Sequence, residues 1–268
     1  MKLMNSLLEI EKEIRNHTTP EERIINGLWS IDCLFNPNHN GRIFNCKFLL
    51  AQTTGLGCAY GVHDEYSRSV LASYINRDFL SQEIDDIALK VCLFDSIYGR
   101  VNSVKSAASI ELSGTANYKM HQRTEIIIQE AERIIGQLEG KHILNVGVVG
   151  DILTSFSKKG AVVCGTDFDP AIIGTKAFGD IRVYDGKKTI ELIGEADIAI
   201  VTGMTITTQT IDSIIQTCKN RKVPIIVFAE TGANLAGYYV RNGVDVYLSE
   251  HFPFYIFNGD SIIEVYRK

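Results

Sequence analysis

Six short apolar runs, separated by segments with helical spacing, dominate the sequence after residue 140 and constrain its fold more than any other feature. They are HILNVGVVG (142–150), AVVCGTD (161–167), IRVYD (181–185), DIAIVTG (197–203), VPIIVFAE (223–230) and VDVYLSE (244–250). Strands with continuous hydrophobicity are covered on both faces, and helices between them make them parallel. The pattern predicts an α/β fold whose residues 121–268 form a doubly wound, mostly parallel Rossmann-like sheet.

The end of the chain adds an antiparallel element to this prediction. Asn258-Gly259 lies between two β-rich runs, FPFYIF and SIIEVYR. An Asn-Gly pair in such a context is typical of a type I′ hairpin. We therefore expect a hairpin here and an antiparallel edge to the sheet.

The first 120 residues lack the alternation and predict a smaller α+β domain. We expect helices near 3–16, 67–76 and 83–98, and strands near 43–52 and 57–62. Residues 101–120, rich in Ser, Ala and Asn, predict a connection. The next helix has Ile127 and Ala131 on its apolar face and leads into the second domain. The predicted domains are thus 1–120 and 121–268.

Composition excludes several classes of function. A net charge of -5 and a pI of about 5.7 argue against a nucleic-acid partner, which would need a basic face. Acidic residues interrupt the N-terminal run MKLMNSLLEIEKEIRNH where a signal peptide would be apolar, and no run approaches the roughly 18 apolar residues of a membrane span. We expect a cytoplasmic protein with no membrane partner, and a homodimer as the commonest oligomer.

The six cysteines are spread along the chain without a C-x-x-C pair and are interpreted as small buried hydrophobes. His39, Cys46, Cys58 and His63 fall within 25 residues, but their spacing matches no compact zinc or haem pattern. The sequence therefore predicts no metal ligands.

Ligands of open parallel sheets bind outside the carboxyl ends of the strands, where helix N-termini direct their N–H groups. The candidate cofactor-binding residues at these ends are Gly147, Gly150, Asp151, Asp167, Thr202, Gly203, Thr205 and Thr208. The two glycines do not form G-x-G-x-x-G and so indicate a dinucleotide only weakly. Asp151 could instead cap a helix, whereas Asp167 lies where an acid binds a ribose hydroxyl.

The threonine-rich loop VTGMTITTQT (201–210) divides into two parts. Thr208 can serve as the N-cap of the next helix, with Asp212 in its first turn. Thr202, Gly203 and Thr205 precede that cap and have no role in it. Hydroxyl and N–H groups gathered before a helix suit an anion such as a carboxylate or phosphate.

Three ionisable residues are candidate catalytic groups. Glu230 and His251 follow neighbouring strands and could act as acid and base. Asp95 falls on the apolar stripe of a predicted helix, where a carboxylate needs partners or a shifted pKa. The stripe leaves two interpretations of Asp95 open: a structural hydrogen bond that caps a helix or joins the domains, and an interdomain ligand site.

These residues resemble a known family. LNVGVVGDI (144–152), EADIAIVTGMTITTQTIDSII (195–215), VFAETG (227–232) and NGVDVYLSE (242–250) are similar to the Rossmann-like domain of the putative heavy-metal chelation family, with its V-G-x-V-G turn and late G-V-D strand. GLGCAYGV (55–62) resembles a strand of the enolase-N-terminal-like domain that precedes it in such proteins.

The chain also departs from the family pattern. It has Thr208-Gln209 where the family loop has Asn-Gly, Glu230-Thr231 where the family has Gly-Pro-Ser, and Asp95-Ser96 where the family has Asn-Ala. A hairpin also takes the place of the usual final helix. The residue changes lie on the presumed pocket, so the ligand need not be the family's usual one.

The resemblance and the residues together predict a small-molecule-binding protein. We expect a small anionic or metal-linked metabolite between the domains, in metal homeostasis or metallophore-type metabolism, as the family name implies. The alternative is an enzyme that uses S-adenosylmethionine or NAD(P) at the Gly147–Gly150 turn and Asp167. A noncatalytic interaction module is a third hypothesis, favoured if the strand ends form no crevice.

Overall fold

The computed structural model describes residues 4–35, 44–61, 66–175 and 178–268. His39 and His63, which raised the question of a metal site, lie outside the described residues. Within these ranges, no helix is both long and apolar enough to cross a lipid bilayer.

The helices and strands after residue 140 follow the predicted alternation, whereas the strands Gly27–Phe35 and Ala108–Leu112 were not predicted. The helices are α1 (Asn5–His17), α2 (Arg68–Tyr74), α3 (Ile87–Val101), α4 (Ala116–Ile135), α5 (Gly150–Lys158), α6 (Thr189–Leu192), α7 (Met204–Thr207), α8 (Ile211–Arg221) and α9 (Ala236–Arg241). The strands are β1 (Gly27–Phe35), β2 (Phe44–Gln52), β3 (Leu56–Tyr60), β4 (Ala108–Leu112), β5 (His142–Val146), β6 (Val162–Asp167), β7 (Arg182–Asp185), β8 (Ile198–Thr202), β9 (Ile225–Ala229), β10 (Val246–Glu250) and β11 (Ser261–Arg267).

An eight-stranded sheet with the order β4-β11-β10-β9-β8-β5-β6-β7 forms the larger part of the molecule. The strands from β5 to β10 pair in parallel, and β11 pairs antiparallel with both β10 and β4. Every residue of β8, β9 and β10 is buried, as continuous hydrophobicity requires. The predicted α/β fold class with a mostly parallel sheet is confirmed.

The antiparallel extension forms differently from the predicted hairpin. β11 pairs with β10, but FPFYIF is not a strand: the Phe252, Phe254 and Phe257 rings pack on one another at centroid distances of 5.1 to 5.7 Å. The ammonium of Lys119 donates to the carbonyl oxygens of Phe257 and Gly259, at 2.7 and 2.6 Å. Packing and this buried lysine therefore override the local preference of Asn258-Gly259 for a tight hairpin.

Residues 101–120 are not only a connection. They contain β4, which forms the outer edge of the large sheet against β11, and the first residues of α4. Thr115 caps α4 by accepting the N–H of Tyr118. The polar composition suits an edge strand with one exposed face. A boundary between domains at residue 120 stays a prediction.

A small antiparallel sheet with the order β1-β2-β3 covers one side of the molecule. One face of it, with Leu49, Ala51 and Ala59, joins α1, α3 and the parallel strands in one continuous hydrophobic core. The other face, with Phe48, Leu50 and Cys58, packs against Phe254. The small sheet is therefore held between the main core and the segment after β10.

A close approach after β5 fixes the geometry where the strands end. Gly147 has a φ of +74°, and a Cβ atom there would lie 2.2 Å from the hydroxyl oxygen of Thr202. Its N–H donates to the carbonyl of Thr166 at 2.9 Å. Only glycine combines this left-handed conformation with such close packing between β5 and β8.

We expect Gly147→Ala to lower the free energy of unfolding by about 2 to 5 kcal/mol, because left-handed strain and overpacking add. Gly140→Ala is the control, since Gly140 has a φ of +71° but a Cβ atom added there would have no neighbour within 4 Å. This control variant should lower the free energy of unfolding only by the conformational strain, about 1 to 2 kcal/mol. Urea denaturation measures both, and equal costs would contradict the packing argument.

Candidate functional site

A cavity of about 620 Å³ lies between the small sheet and the carboxyl ends of β5, β8 and β9. This is the crevice expected of an open parallel sheet. Three structural units contribute most of its lining: the Cys46 to Tyr60 face of the small sheet, α5 with the turn before it, and the N-terminal half of α4. The interaction-module hypothesis, which depended on finding no crevice, loses its basis.

Aromatic rings form much of the cavity wall. Phe48 and Tyr60 meet edge to face, with ring centroids 5.7 Å apart. Phe178, Phe228 and Tyr255 complete this group of lining rings. Such walls suit a ligand with a flat or apolar body.

A buried ion cluster forms the floor of the cavity. Arg123 on α4 donates through Nη1 to Glu230 at 2.6 Å and to Glu250 at 3.3 Å. Its guanidinium carbon lies 4.2 Å from the ring centroid of Tyr255 and 5.3 Å from that of Phe228. One cation thus serves two carboxylates between two aromatic faces.

Glu250 lies behind the cavity, and both of its carboxylate oxygens accept hydrogen bonds from other residues of the protein. One carboxylate oxygen accepts the N–H of Tyr255 at 2.7 Å and the hydroxyl of Ser261 at 3.0 Å. The other receives the longer bond from Arg123. Glu250 therefore anchors the segment after β10 and leaves Glu230 as the carboxylate that faces the ligand space.

Glu230 combines an accessible carboxylate with a strongly perturbed environment. Its side chain is 21% exposed and lines the cavity. Burial raises the pKa of Glu230 to about 7, and Glu250 adds to this, while Arg123 acts in the opposite direction. Arg123 holds one oxygen, and within the described ranges no side chain or N–H donates to the other. Glu230 can accept a proton or a hydrogen bond from a ligand.

The end of β8 supplies the next part of the wall. Thr202 and Gly203 line the cavity, and the buried hydroxyl of Thr202 has no partner among the residues that the structure describes. Gly203 packs so closely that a Cβ atom would lie 2.5 Å from the carbonyl oxygen of Thr231. Both predicted residues therefore lie at the cavity.

Two predictions for the rest of the threonine loop are not met: Thr205 as a residue of the ligand site and Thr208 as a helix N-cap. Thr205 does not line the cavity: its hydroxyl donates to the carbonyl of Thr202 at 2.7 Å. Thr208 is not the N-cap of α8: it follows the extra helical turn α7 as its C-cap residue, and Gln209, with a φ of +56°, separates it from the N-cap of α8. Thr210 occupies the N-cap position.

The turn between β5 and α5 forms the opposite rim. Gly150 and Asp151 line the cavity at the start of α5, while Gly147 is closed off by Thr202. Asp151 does not cap the helix: Val149 holds the N-cap position, and Asp151 pairs with the ring Nδ1 of His121 at 2.8 Å. This pairing across α4 and α5 places an imidazole at the rim.

Asp167 has a structural role in this arrangement. One of its carboxylate oxygens accepts the N–H of Val148 at 2.8 Å, and the other accepts the N–H of Asp169 at 2.9 Å. It fixes the β5–α5 turn and does not line the cavity. A role in ribose binding stays a prediction.

Asp95 and His251 also lie away from the cavity. Asp95 is buried and accepts the N–H groups of Cys58 at 2.8 Å and Asn234 at 2.7 Å, which is the structural hydrogen-bonding alternative. His251 pairs with Glu264 at 3.4 Å. The three candidate catalytic residues are therefore not brought together, and of them Glu230 alone lines the cavity. The interdomain ligand site that was one interpretation of Asp95 is therefore not this cavity.

Sequence reasoning missed Arg123, which organises the floor. A signal was available, because Arg123 precedes Ile127 and Ala131 by four and eight residues and so falls on the predicted apolar face of α4. A charge on a buried face needs partners. The aromatic lining from β2, β3 and residue 255 carried no comparable signal.

The donors in the cavity do not fit a metal ion with three or more protein ligands. Across the described ranges, no group of three His, Cys, Asp or Glu side chains is placed to hold one. His121 pairs with one carboxylate oxygen of Asp151, whose other oxygen is buried without a partner among the described residues, and Glu230 binds Arg123.

The comparisons with known proteins support the predicted resemblance. The model of the family described as putative heavy-metal chelation (DUF364) matches residues 131–228, which confirms the resemblance there. None of the curated proteins matches this chain.

Two solved structures of proteins with unknown function from the DUF364 family share the fold. The protein from Desulfitobacterium hafniense DCB-2 is 11% identical, with a TM-score of 0.59 over 92% of this chain and 88% of its own. The protein from Pyrococcus horikoshii is 14% identical, with a TM-score of 0.56 over 98% and 100%. At such identities the likeness concerns the fold alone.

Two nearly isosteric substitutions separate the roles of the threonines. We expect Thr202→Val to leave the free energy of unfolding unchanged or to raise it by up to about 1 kcal/mol, because it removes a buried hydroxyl without a described partner. Thr205→Val should lower it by about 1 kcal/mol through the lost hydrogen bond. Urea denaturation checks both, and a similar loss in Thr202→Val would show that its hydroxyl is bonded.

Proposed function

We propose that this chain, whose residues 131–228 match the putative heavy-metal chelation family, binds a small metabolite in the cavity between its two sheets. The metabolite would carry a carboxylate together with an amine or hydroxyl group on a partly apolar body. Such amino- and hydroxycarboxylates are themselves metal ligands, so the class includes metal-linked metabolites. The observation that carries the proposal is the accessible oxygen of Glu230 on the floor of an aromatic-walled cavity.

The size and walls of the cavity support a small organic ligand. Its volume of about 620 Å³ lies within the usual range of roughly 300 to 1,000 Å³ for small-molecule sites. Phe48, Tyr60 and Tyr255 offer ring faces and edges to an apolar body. A lone inorganic ion would leave most of this surface without contacts.

The floor of the cavity favours a ligand group that donates hydrogen bonds, and an ammonium group most of all. Arg123 supplies one positive charge against the two carboxylates of Glu230 and Glu250. When both are ionised, the cluster has an excess of negative charge in a water-poor site, where electrostatic interactions are strong. A ligand amine that donates to the second oxygen of Glu230 would balance it.

The rim formed by the start of α5, opposite the floor, favours the carboxylate of the ligand. Within the described chain, the first-turn N–H groups of Gly150 and Asp151 have no acceptor, and they begin a nine-residue helix. Helix N-termini stabilise anions through these groups. One carboxylate oxygen of Asp151 pairs with His121, and the other is buried without a partner among the described residues.

The ionisable side chains of the cavity wall are electrically balanced. Arg123 and Lys158 oppose Asp151 and Glu230, two against two, when His121 is neutral. The carboxylate of Glu230 and the N–H groups at the start of α5 lie on separate sides of this neutral wall. Such an arrangement suits a zwitterion better than a simple anion. The nucleotide-cofactor alternative has less support, because both oxygens of Asp167 already accept backbone N–H groups.

A thermal-shift panel tests the ligand class. The probes are tryptophan, phenyllactate, histidine and citrate, with tryptamine and indole-3-propionate as analogues that lack one of the two polar ends of tryptophan. At about 100 times its dissociation constant, a ligand should add roughly 2.7 kcal/mol of stability. We expect at least one probe with both ends to stabilise the protein and its truncated analogues to do so less.

NAD(P) and S-adenosylmethionine belong in the same panel. Stabilisation by these adenine cofactors alone would contradict the proposed class and favour the nucleotide-dependent enzyme. Stabilisation by indole-3-propionate as strong as that by tryptophan would show that the amine has no partner.

Glu230 should make amine binding depend on pH. Because its raised pKa is about 7, the carboxyl is largely protonated at pH 6 and ionised at pH 8. We expect the affinity for tryptophan, measured by calorimetry, to rise by about tenfold over this range, as a gain near 1.4 kcal/mol implies. Glu230→Gln should weaken binding and flatten the profile.

Glu264→Gln is the matched control for Glu230→Gln. Glu264 pairs with His251 outside the cavity, so its loss should leave both affinity and pH dependence unchanged. A pH profile that survives Glu230→Gln would assign the titrating group elsewhere.

A further inference from the structure

Two cysteines face each other across the small sheet. Cys33 on β1 and Cys46 on β2 are direct partners in the antiparallel register. Residues opposite each other in such a pair have Cβ atoms about 4.5 to 5.5 Å apart and project from the same face. Their thiols are therefore within reach of one common atom.

The shared face of this pair is the one that bounds the cavity. Cys46 lines the cavity, as does Phe48 two residues later on the same face of β2. Both thiols pack beside the cluster formed by Phe48, Leu50, Cys58 and Phe254. The pair thus lies at the edge of an apolar, sheltered region that opens to the ligand space.

The exposure of this pair separates it from cysteines that only fill space. Cys58, Cys92 and Cys218 are buried, as core cysteines are. Cys33 and Cys46 are both partly exposed, and both are free thiols. Cys164 is also partly exposed, but its register partners are Leu144 and Arg182.

We propose that Cys33 and Cys46 form a two-coordinate site for a soft, thiophilic cation of the Cu(I) class. Soft thiolate ligands select such ions, and Cu(I) accepts two sulfur ligands without a third. The absence of a three-ligand group among the described residues is therefore no obstacle. The site uses residues other than those that carry the proposed metabolite binding and does not depend on it.

The binding step involves no oxidation. Two S–H bonds break, two S–Cu bonds form, and two protons pass to solvent. The copper stays monovalent, and the resulting bis-thiolate complex carries one negative charge. The rigid pairing of β1 with β2 holds both ligands in place before the ion arrives.

Anaerobic competition with the chromophoric Cu(I) chelator bathocuproine disulfonate tests the site. The fully reduced full-length protein should withdraw one Cu(I) per chain from the chelator. Cys33→Ser and Cys46→Ser should each abolish this withdrawal at the same chelator concentration. Cys164→Ser is the matched control and should retain the stoichiometry.

A thiol count gives a second readout that does not depend on the chelator. Loading with one equivalent of Cu(I) should protect two thiols of the native wild-type protein from Ellman's reagent, and the same two should react when copper is absent. Circular dichroism confirms that each serine variant is folded, and Cys33→Ala and Cys46→Ala replace any variant that is not. Retention of one-to-one binding by either Cys33 variant or either Cys46 variant would overturn the proposal, as would a wild-type protein that withdraws no copper.

Discussion

The carboxylate of Asp95 holds the two sheets in the relation on which the cavity depends. It is buried on α3 and accepts one N–H from Cys58 in β3 and one from Asn234 after β9. Burial raises the pKa of Asp95 to about 7, while these hydrogen bonds act to lower it. The amide of Asn234 also donates to the carbonyl oxygens of Asp95 and Leu56. A polar group that is costly to bury is thus satisfied only when both sheets are in position.

The cavity wall follows from this connection. β3, fixed at Cys58, carries Tyr60, whose N–H donates to the hydroxyl of Thr231 at 2.9 Å. Thr231 follows Glu230, so the aromatic wall and the acidic floor are placed by neighbouring hydrogen bonds. Arg123 completes the floor from α4. The polar groups of the site are therefore positioned by secondary structure on three sides, which is the condition for a preorganised ligand site.

The sequence predicted the parallel sheet well because continuous hydrophobicity and helical spacing are local signals. It predicted the ends of β5, β8 and β9 as a ligand site for the same reason, and Gly150, Asp151, Thr202, Gly203 and Glu230 line the cavity. Position at a strand end does not determine where a side chain points. The carboxylate of Asp167 and the hydroxyl of Thr205 therefore proved to be structural hydrogen-bonding groups.

The errors have identifiable physical causes. β1 was missed although Ser30 and Asp32 alternate with apolar residues, which is the pattern of a strand with one exposed face. The predicted hairpin failed because aromatic packing and Lys119 outweighed a turn preference. The cavity itself combines residues from β2 to Ile256, and such long-range proximity has no local pattern in a single sequence.

The continuous core has a consequence for how a ligand enters. Leu49 and Ala59 of the small sheet pack in the same hydrophobic cluster as Val227 of β9. Walls that share one core cannot part as two rigid bodies without exposing that core to water. Access must then depend on small movements at the rim, where the side chains of His121 and Met204 are 53% and 38% exposed. Exposed side chains change rotamer in picoseconds to nanoseconds, so movements of these two side chains are far faster than any separation of the walls would be.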